Sequence, residues 1–241
     1  PPHLVTIIPS IPLADPLYNS PYRFGAFHAF LNLHWSTAFE TGAIIDLAGK
    51  KYEDIIDSMT ETALKHLPVI DLDKHIFKKE NRMWRTWIKY KPMDDYWKPA
   101  GYLDKLDQLE IPVFLQSGWF DRNGIGTKSS YLRLKDSPSK FVKMIVGPWG
   151  MTAQATTFLD DRDLGEEAGL DLFKLYRRWY DHWLKGKDTK ILDEPNVQLF
   201  VLGADKWLKD KKYPLPNTQL VPFYLNSAKS ANSLKGDGIL E

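Results

Sequence analysis

The sequence predicts an α/β protein: part of a parallel sheet, a helical insertion, and the opening of a β-sandwich near the end. Three observations predict it. Residues 111–121 (IPVFLQSGWFD) and 141–151 (FVKMIVGPWGM) are short apolar runs, each ending in a Gly-Trp-type corner that delivers one residue, Asp121 or Met151, into a loop. That is the layout of a parallel sheet presenting chemistry at the carboxyl ends of adjacent strands. Residues 12–102 are rich in aromatics and helix-period segments, and after Pro195 the period switches to two.

Taken in order, residues 4–8 form a β-branched apolar run closed by Pro9, which suits a buried parallel strand. Within the insertion, Tyr52, Ile55, Ile56, Met59 and Ala63 fall on one helical face, and Leu67-Pro68 ends that helix. A connection this long between sheet strands reads as a lid or substrate cap. Tyr102, Leu103, Leu106 and Leu109 make a short amphipathic turn into the strand at 111–116, and a helix runs through residues 130–134. Leu172, Phe173, Leu175, Tyr176, Trp179, Tyr180, Trp183 and Leu184 form a broad stripe at 3.6 spacing, with Gly186 at the C-cap position. Residues 197–202 and 220–225 read as strands separated by a Pro-rich loop. The expected division is therefore 1–11 and 103–194 as the sheet domain, 12–102 as the insertion, and 195–241 as the start of a separate β-module.

Composition excludes several classes of function. The chain has 241 residues, 43% hydrophobic, with 32 basic and 31 acidic side chains and a net charge of +1. That balance offers no electrostatic reason for nucleic acid or an anionic membrane as partner. Zero cysteines remove disulfides, thiolate metal sites and a cysteine nucleophile. No apolar run approaches the ~18–20 residues that cross a bilayer, and the first residues are not a signal peptide. A cytoplasmic location fits, and secretion without disulfides fits as well. Both ends look like mid-domain positions, so a segment of a longer protein is expected.

The chemistry converges on the two corners. A carboxylate at a strand end, on a turn made sharp by Gly118, can hold a histidine ring in one tautomer and stabilise the imidazolium, which makes Asp121 a candidate catalytic acid. The alternative for Asp121 is an N-cap or a loop acid bonded to backbone amides. At Met151 a thioether neither accepts nor donates a proton, so that position cannot supply a general base. No G-x-S-x-G occurs, and Ser117 lacks the preceding glycine of a nucleophile elbow. Trp119, Phe120 and Trp149, at the corners, and His28 and His34, in the insertion, are the candidate walls of a substrate pocket. His182 lies in the helix at 172–184, where a packed, hydrogen-bonded histidine is the default. No histidine stands in metal-ligand spacing and no cofactor is expected. The acidic run at 160–167 lacks the alternation of a calcium loop, and the Lys/Arg and Trp cluster at 74–87 reads as a solvated face.

Four motifs in order resemble one family. They are Gly118-Trp119-Phe120-Asp121, Val146-Gly147-Pro148-Trp149-Gly150, Trp179-Tyr180-Asp181-His182-Trp183-Leu184-Lys185-Gly186, and Val201-Leu202-Gly203-Ala204-Asp205-Lys206-Trp207. The chain is thereby similar to the X-Pro dipeptidyl-peptidase, cocaine esterase and α-amino-acid ester hydrolase family. Tyr213-Pro214-Leu215-Pro216, Pro222-Phe223-Tyr224-Leu225 and Gly236-Asp237-Gly238 continue the match. The resemblance implies an α/β-hydrolase domain with a helical cap, followed by a jelly-roll. It implies that Asp121 matches the triad acid, that Met151 occupies the triad histidine position, and that the nucleophilic serine lies upstream of Pro1. The implied function is a serine-dependent acyl hydrolase acting on a small-molecule ester, amide or peptide, and homo-oligomerisation is left open. A substitute base would be sought in His28 or His34. The competing reading is an inactive relative that binds a ligand or partner beneath the cap. A third, a carbohydrate-binding module, would need an exposed aromatic row, and Trp207 and Tyr213 are too few.

Overall fold

A computed structural model describes residues 2–43, 50–139, 141–151, 155–231 and 233–241. The chain divides into two compact units, one ending at Lys211 and the other comprising Lys212–Glu241.

The first unit opens with a segment lying along the edge of the main sheet, then a hairpin of β1 (Tyr22–Arg23) and β2 (Ala26–Phe27). Helices α1 (Ala29–Thr41), α2 (Lys50–Ser58), α3 (Glu61–Leu64), α4 (Leu72–Phe77) and α5 (Arg82–Lys89) follow. Leu33, Ala38, Ile55, Met59, Leu72 and Trp84 close into one apolar cluster, against which Tyr52 packs, so the insertion carries its own core. Asp73, wholly buried, ties that core together. Its carboxylate accepts from Arg85 Nε and Nη2, both at 2.8 Å, and from the backbone N–H of Lys74 and Asn81.

After α6 (Leu103–Leu106) come β3 (Val113–Phe120), α7 (Gly124–Leu134) and β4 (Val142–Gly150). A small hairpin, β5 (Phe158–Leu159) with β6 (Arg162–Asp163), leads to α8 (Leu172–Lys185), then β7 (Val197–Val201) and β8 (Lys206–Asp210). The sheet order is β3-β4-β7-β8, parallel except for the antiparallel β8. Along β3, Phe114 and Gln116 face α8 through Phe114–Tyr176 and Phe114–Trp179 ring contacts and a hydrogen bond from Tyr176. By strand alternation Leu115 and Ser117 face the other side, where α7 packs. Trp149, Trp179, Ile145 and Ile191 complete the core under α8.

Several sequence expectations shift. Residues 4–8 do not form a buried strand: only Ile7 and Ser10 bridge β3, in parallel, at Val113 and Gln116, and Leu4 and Val5 are exposed. Pro9 between them has no N–H to give the ladder. The helix expected over 52–63 divides after Ser58, because Thr60 turns its hydroxyl onto the Ala63 N–H (3.2 Å) and starts α3. The strand placed at the head of a separate β-module, 197–202, is instead β7, hydrogen-bonded to β4 within the main sheet. Its buried Val197, Leu199 and Phe200 extend the sheet's core, and the compact unit runs on to Lys211.

The second unit is a ribbon of β9 (Leu225–Asn226) and β10 (Ile239–Leu240). Of the strand expected at 220–225, only Leu225, in β9, and Tyr224, which exchanges backbone hydrogen bonds with Glu241, are paired, and Pro222 lacks a donor for a longer ladder. Asp237 closes the intervening loop: its carboxylate accepts from Ser227 Oγ (2.7 Å) and from three consecutive N–H groups, Ala228, Lys229 and Ser230, at 2.9–3.0 Å.

Candidate active site

The site begins with a mismatch between two strands. β3 and β4 pair residue for residue from Val113↔Val142 to Gly118↔Gly147, and then resume at Phe120↔Gly150. One residue on β3, Trp119, faces two on β4, Pro148 and Trp149, so β4 bulges. Glycine is required on both sides of this bulge. A Cβ on Gly118 would stand 2.0 Å from the Trp149 carbonyl oxygen, and one on Gly147 would stand 2.4 Å from the Trp149 ring. The bulge turns the Trp149 indole fully inward, where its N–H is shared between the carbonyls of Thr156 (3.1 Å) and Ala168 (3.0 Å). Trp149 is therefore a core side chain, and the expectation that it walls a substrate pocket is corrected on this ground.

Asp121 and Met151 each follow the paired positions Phe120 and Gly150 directly. They leave adjacent parallel strands about 4.8 Å apart at the same end of the sheet. Met151 is partly buried. Asp121 is buried, and both of its oxygens are engaged: Oδ2 accepts from Ser117 Oγ at 2.9 Å and Oδ1 from the Asn123 N–H at 2.8 Å. The second bond is the loop-acid alternative realised, while the N-cap of α7 is Asn123. Two hydrogen bonds leave lone pairs on the carboxylate for a further donor.

Trp119 and Phe120 remain about half exposed, and the Trp119 N–H is held by the Phe200 carbonyl at 2.6 Å. They offer an aromatic surface beside Asp121. His28 stands at the head of α1 and His34 within it. Burial and the charge of Arg122, the residue after Asp121, push both imidazoles below the ordinary histidine range, with Arg23 adding to the effect at His28. The His34 ring lies stacked on Trp35 at 5.2 Å and against Tyr52 at 4.9 Å, and its buried Nε2 has no hydrogen-bond partner among the described residues. His182 packs edge-on against Trp183, with Nδ1 3.1 Å from the Lys187 carbonyl, as a structural helix histidine would. A cleft of about 430 Å³ opens between residues 15–18 and 92–104, and one of about 250 Å³ lies beside α1 and α2; neither is lined by Asp121 or Met151. Among the described residues no group of three or more His, Asp or Glu is placed to hold a metal, and no helix is long and apolar enough to cross a membrane.

Sequence reasoning set Ser117 aside because it sits within the strand and not in an elbow. It missed the link to Asp121, although the four-residue spacing across a glycine corner was the available signal. Arg122 and the Asn19–Asn123 side-chain bond (3.1 Å), which ties the chain before β1 to this corner, carried no signal at all.

A mixed α/β sheet with a helical insertion and an acid at the carboxyl end of a parallel strand is a hydrolase-type architecture. Residues 1–150 match the model of the X-Pro dipeptidyl-peptidase (S15) family, and the chain belongs to that family. Cocaine esterase from Rhodococcus sp. (strain MB1 Bresler) is 26% identical over 249 residues, covering 98% of this chain and 43% of the esterase. Among solved structures, an aminopeptidase from the marine sediment archaeon Thaumarchaeota archaeon superposes with a TM-score of 0.68 at 21% identity, over 88% of this chain and 36% of that one. An α-amino-acid ester hydrolase gives 0.62 at 18% identity, over 88% and 35%. A CocE/NonD family hydrolase from Staphylococcus aureus gives 0.57 at 18% identity, over 94% and 33%. The chain thus spans less than half the length of the esterase and about a third of the solved structures, whose likeness establishes the fold.

Proposed function

We propose that this chain is part of a serine-dependent acyl hydrolase that cleaves a small-molecule ester, amide or peptide through an acyl-enzyme. The observation that carries the reading is the Phe120↔Gly150 register, which sets Asp121 beside position 151 with its carboxylate buried and hydrogen-bonded. In this reading a serine from the part of the hydrolase outside these residues attacks the acyl carbon. A histidine takes the serine proton and passes it to the leaving group, water then releases the acyl group, and Asp121 fixes the histidine's tautomer. Trp119 and Phe120 form the aromatic side of the substrate pocket. The family and the cocaine esterase likeness support the reaction class.

Met151 stands where the histidine would. Loss of one triad member leaves about 10³–10⁴-fold over water, from binding and the oxyanion hole. Turnover above that level requires another base, and His28 and His34 suit the task in one respect: both are biased toward the neutral imidazole that accepts a proton. The same methionine favours the second reading, an inactive relative that binds a ligand or partner. The test is ester hydrolysis and labelling by a fluorophosphonate serine probe, on the whole protein and on its Met151→His variant. Turnover that rises at least ~10³-fold with histidine supports a triad disabled at one position. Turnover already high with Met151 and abolished by His28→Ala or His34→Ala assigns the substitute base. Silence in both forms rejects the hydrolase reading in favour of binding.

A further inference from the structure

Ser117 is a serine that the acyl-transfer chemistry does not use, and its surroundings are unusual for a strand residue. It is wholly buried although β3 is the end strand of the sheet order, and it stands opposite Val146 of β4. Its single hydroxyl proton goes to Asp121 Oδ2 at 2.9 Å, four residues on and across the Gly118 corner. The start of α7 passes beside it: a Cβ on Gly124 would stand at ordinary van der Waals distance, 3.7 Å, from the Ser117 oxygen.

We infer that Ser117 is a positioning residue for Asp121, a role that rests on the reading of Asp121 as the acid of the site. The argument is geometric. A carboxylate held by one donor can still rotate about its terminal torsion, which is broad and roughly two-fold. With Oδ1 on the Asn123 N–H and Oδ2 on Ser117, both oxygens are fixed and that rotation is closed off. The remaining lone pairs are then held in fixed directions. Hydrogen bonds to an ionised group are the short and strong kind, so the clamp is worth keeping in a buried site. A displacement of about 1 Å at a catalytic group can cost on the order of 10²-fold in rate. Loss of one of the two anchors is expected to cost about 10-fold.

The experiment is a double-mutant cycle in the whole protein, in whichever form, Met151 or Met151→His, hydrolyses the ester. Ser117→Ala, Asp121→Asn and the double variant are compared for kcat, KM and thermal midpoint. Ser117→Ala is expected to lower kcat about 10-fold with KM unchanged. The same change made on Asp121→Asn is expected to cost less than about 2-fold, because its effect passes through the carboxylate. Ser117→Thr, which keeps the hydroxyl, is expected to restore most of the rate. An equal loss of kcat in both backgrounds, or a lowered thermal midpoint with kcat intact, overturns the inference and leaves Asp121's role standing. Full activity in Asp121→Asn, or no turnover in either form, removes the reading on which the inference depends and the inference with it.

Discussion

At Gly118 the absence of one carbon atom decides whether the corner can exist. The Trp149 carbonyl occupies the space that a side chain would need, at 2.0 Å from an ideal Cβ, and the obstacle is backbone that cannot swing aside. Gly118→Ala is expected to push β4 away and to cost about 1–3 kcal/mol or more, read as a lower denaturant midpoint at unchanged slope. Because Asp121 follows three residues later, hydrolytic rate is expected to fall further than stability alone explains. A variant with an unchanged midpoint would mean that the bulge relaxes freely. The glycine and the acid were both legible in the sequence, since a strand that ends in Gly-Trp-x-Asp announces a tight corner. What that corner does internally was not. The Ser117–Asp121 bond and the charge of Arg122 reaching His28 and His34 depend on side-chain directions that no spacing rule encodes.

Among elements, the strands and α8 could be read because each imposes a clear period. β3 and β4 are buried on both faces and show near-continuous apolar runs. Of the α8 stripe, Leu172, Leu175, Tyr176, Trp179 and Trp183 pack inward while Phe173, Tyr180 and Leu184 stay exposed, and the helix ends in a left-handed glycine, Gly186, at φ +64°. By contrast α1 buries Leu31, Asn32, Leu33, His34, Ser36, Thr37 and Ala38 on most of its circumference, so it shows no stripe and gave no specific prediction. The join between β4 and β7 was also hidden, because parallel pairing across an intervening helix is a long-range choice. Its base holds a charged knot. Lys143 of β4 is wholly buried, with its ammonium on Glu194 Oε2 (3.0 Å) and on the Pro195 carbonyl (3.1 Å), and Arg178 of α8 holds Glu194 Oε1 at 2.5 Å. Glu194→Ala leaves the Lys143 charge buried without its carboxylate, and is expected to destabilise by about 3–5 kcal/mol. Burial would raise the Glu194 carboxyl, but Lys143 and Arg178 outweigh it and hold the group below the ordinary carboxylate range. Stabilisation from Glu194 is therefore present above the unfolded-state value and is lost as pH falls through the lower folded one. Acid denaturation of the Glu194→Gln variant is expected to lose this component of the pH dependence. A difference between Glu194→Gln and the parent that stays constant from pH 7 to pH 2 would refute it.

On the scale of the whole molecule, the two units differ in what holds them. The first has two separate apolar cores, one under α8 and one within the insertion. The second, Lys212–Glu241, leaves Leu220, Leu225 and Leu234 at 94%, 89% and 102% exposure, so burial contributes little to its order. Local hydrogen bonds must do that work, and Asp237 supplies four of them to one loop. The hydroxyl of Ser227 and the N–H groups of Ser230 and Lys229 hold its carboxyl down at about 2, against an ordinary 3.8. A depressed folded-state value means that the clamp is fully present above pH 3.8 and is lost only as pH falls through about 2. Amide proton resonances of Ala228, Lys229 and Ser230 are therefore expected to titrate together with a midpoint near 2, moving upfield as the carboxylate is protonated. The same three signals in Asp237→Asn are expected to sit upfield at every pH and to show no titration. Since few buried contacts back the loop, their exchange with solvent should also be far faster than that of the β3 and β4 amides. A midpoint near 3.8 would mean that the carboxylate is solvated in the folded unit, and that the ribbon is held by its β9–β10 pairing alone.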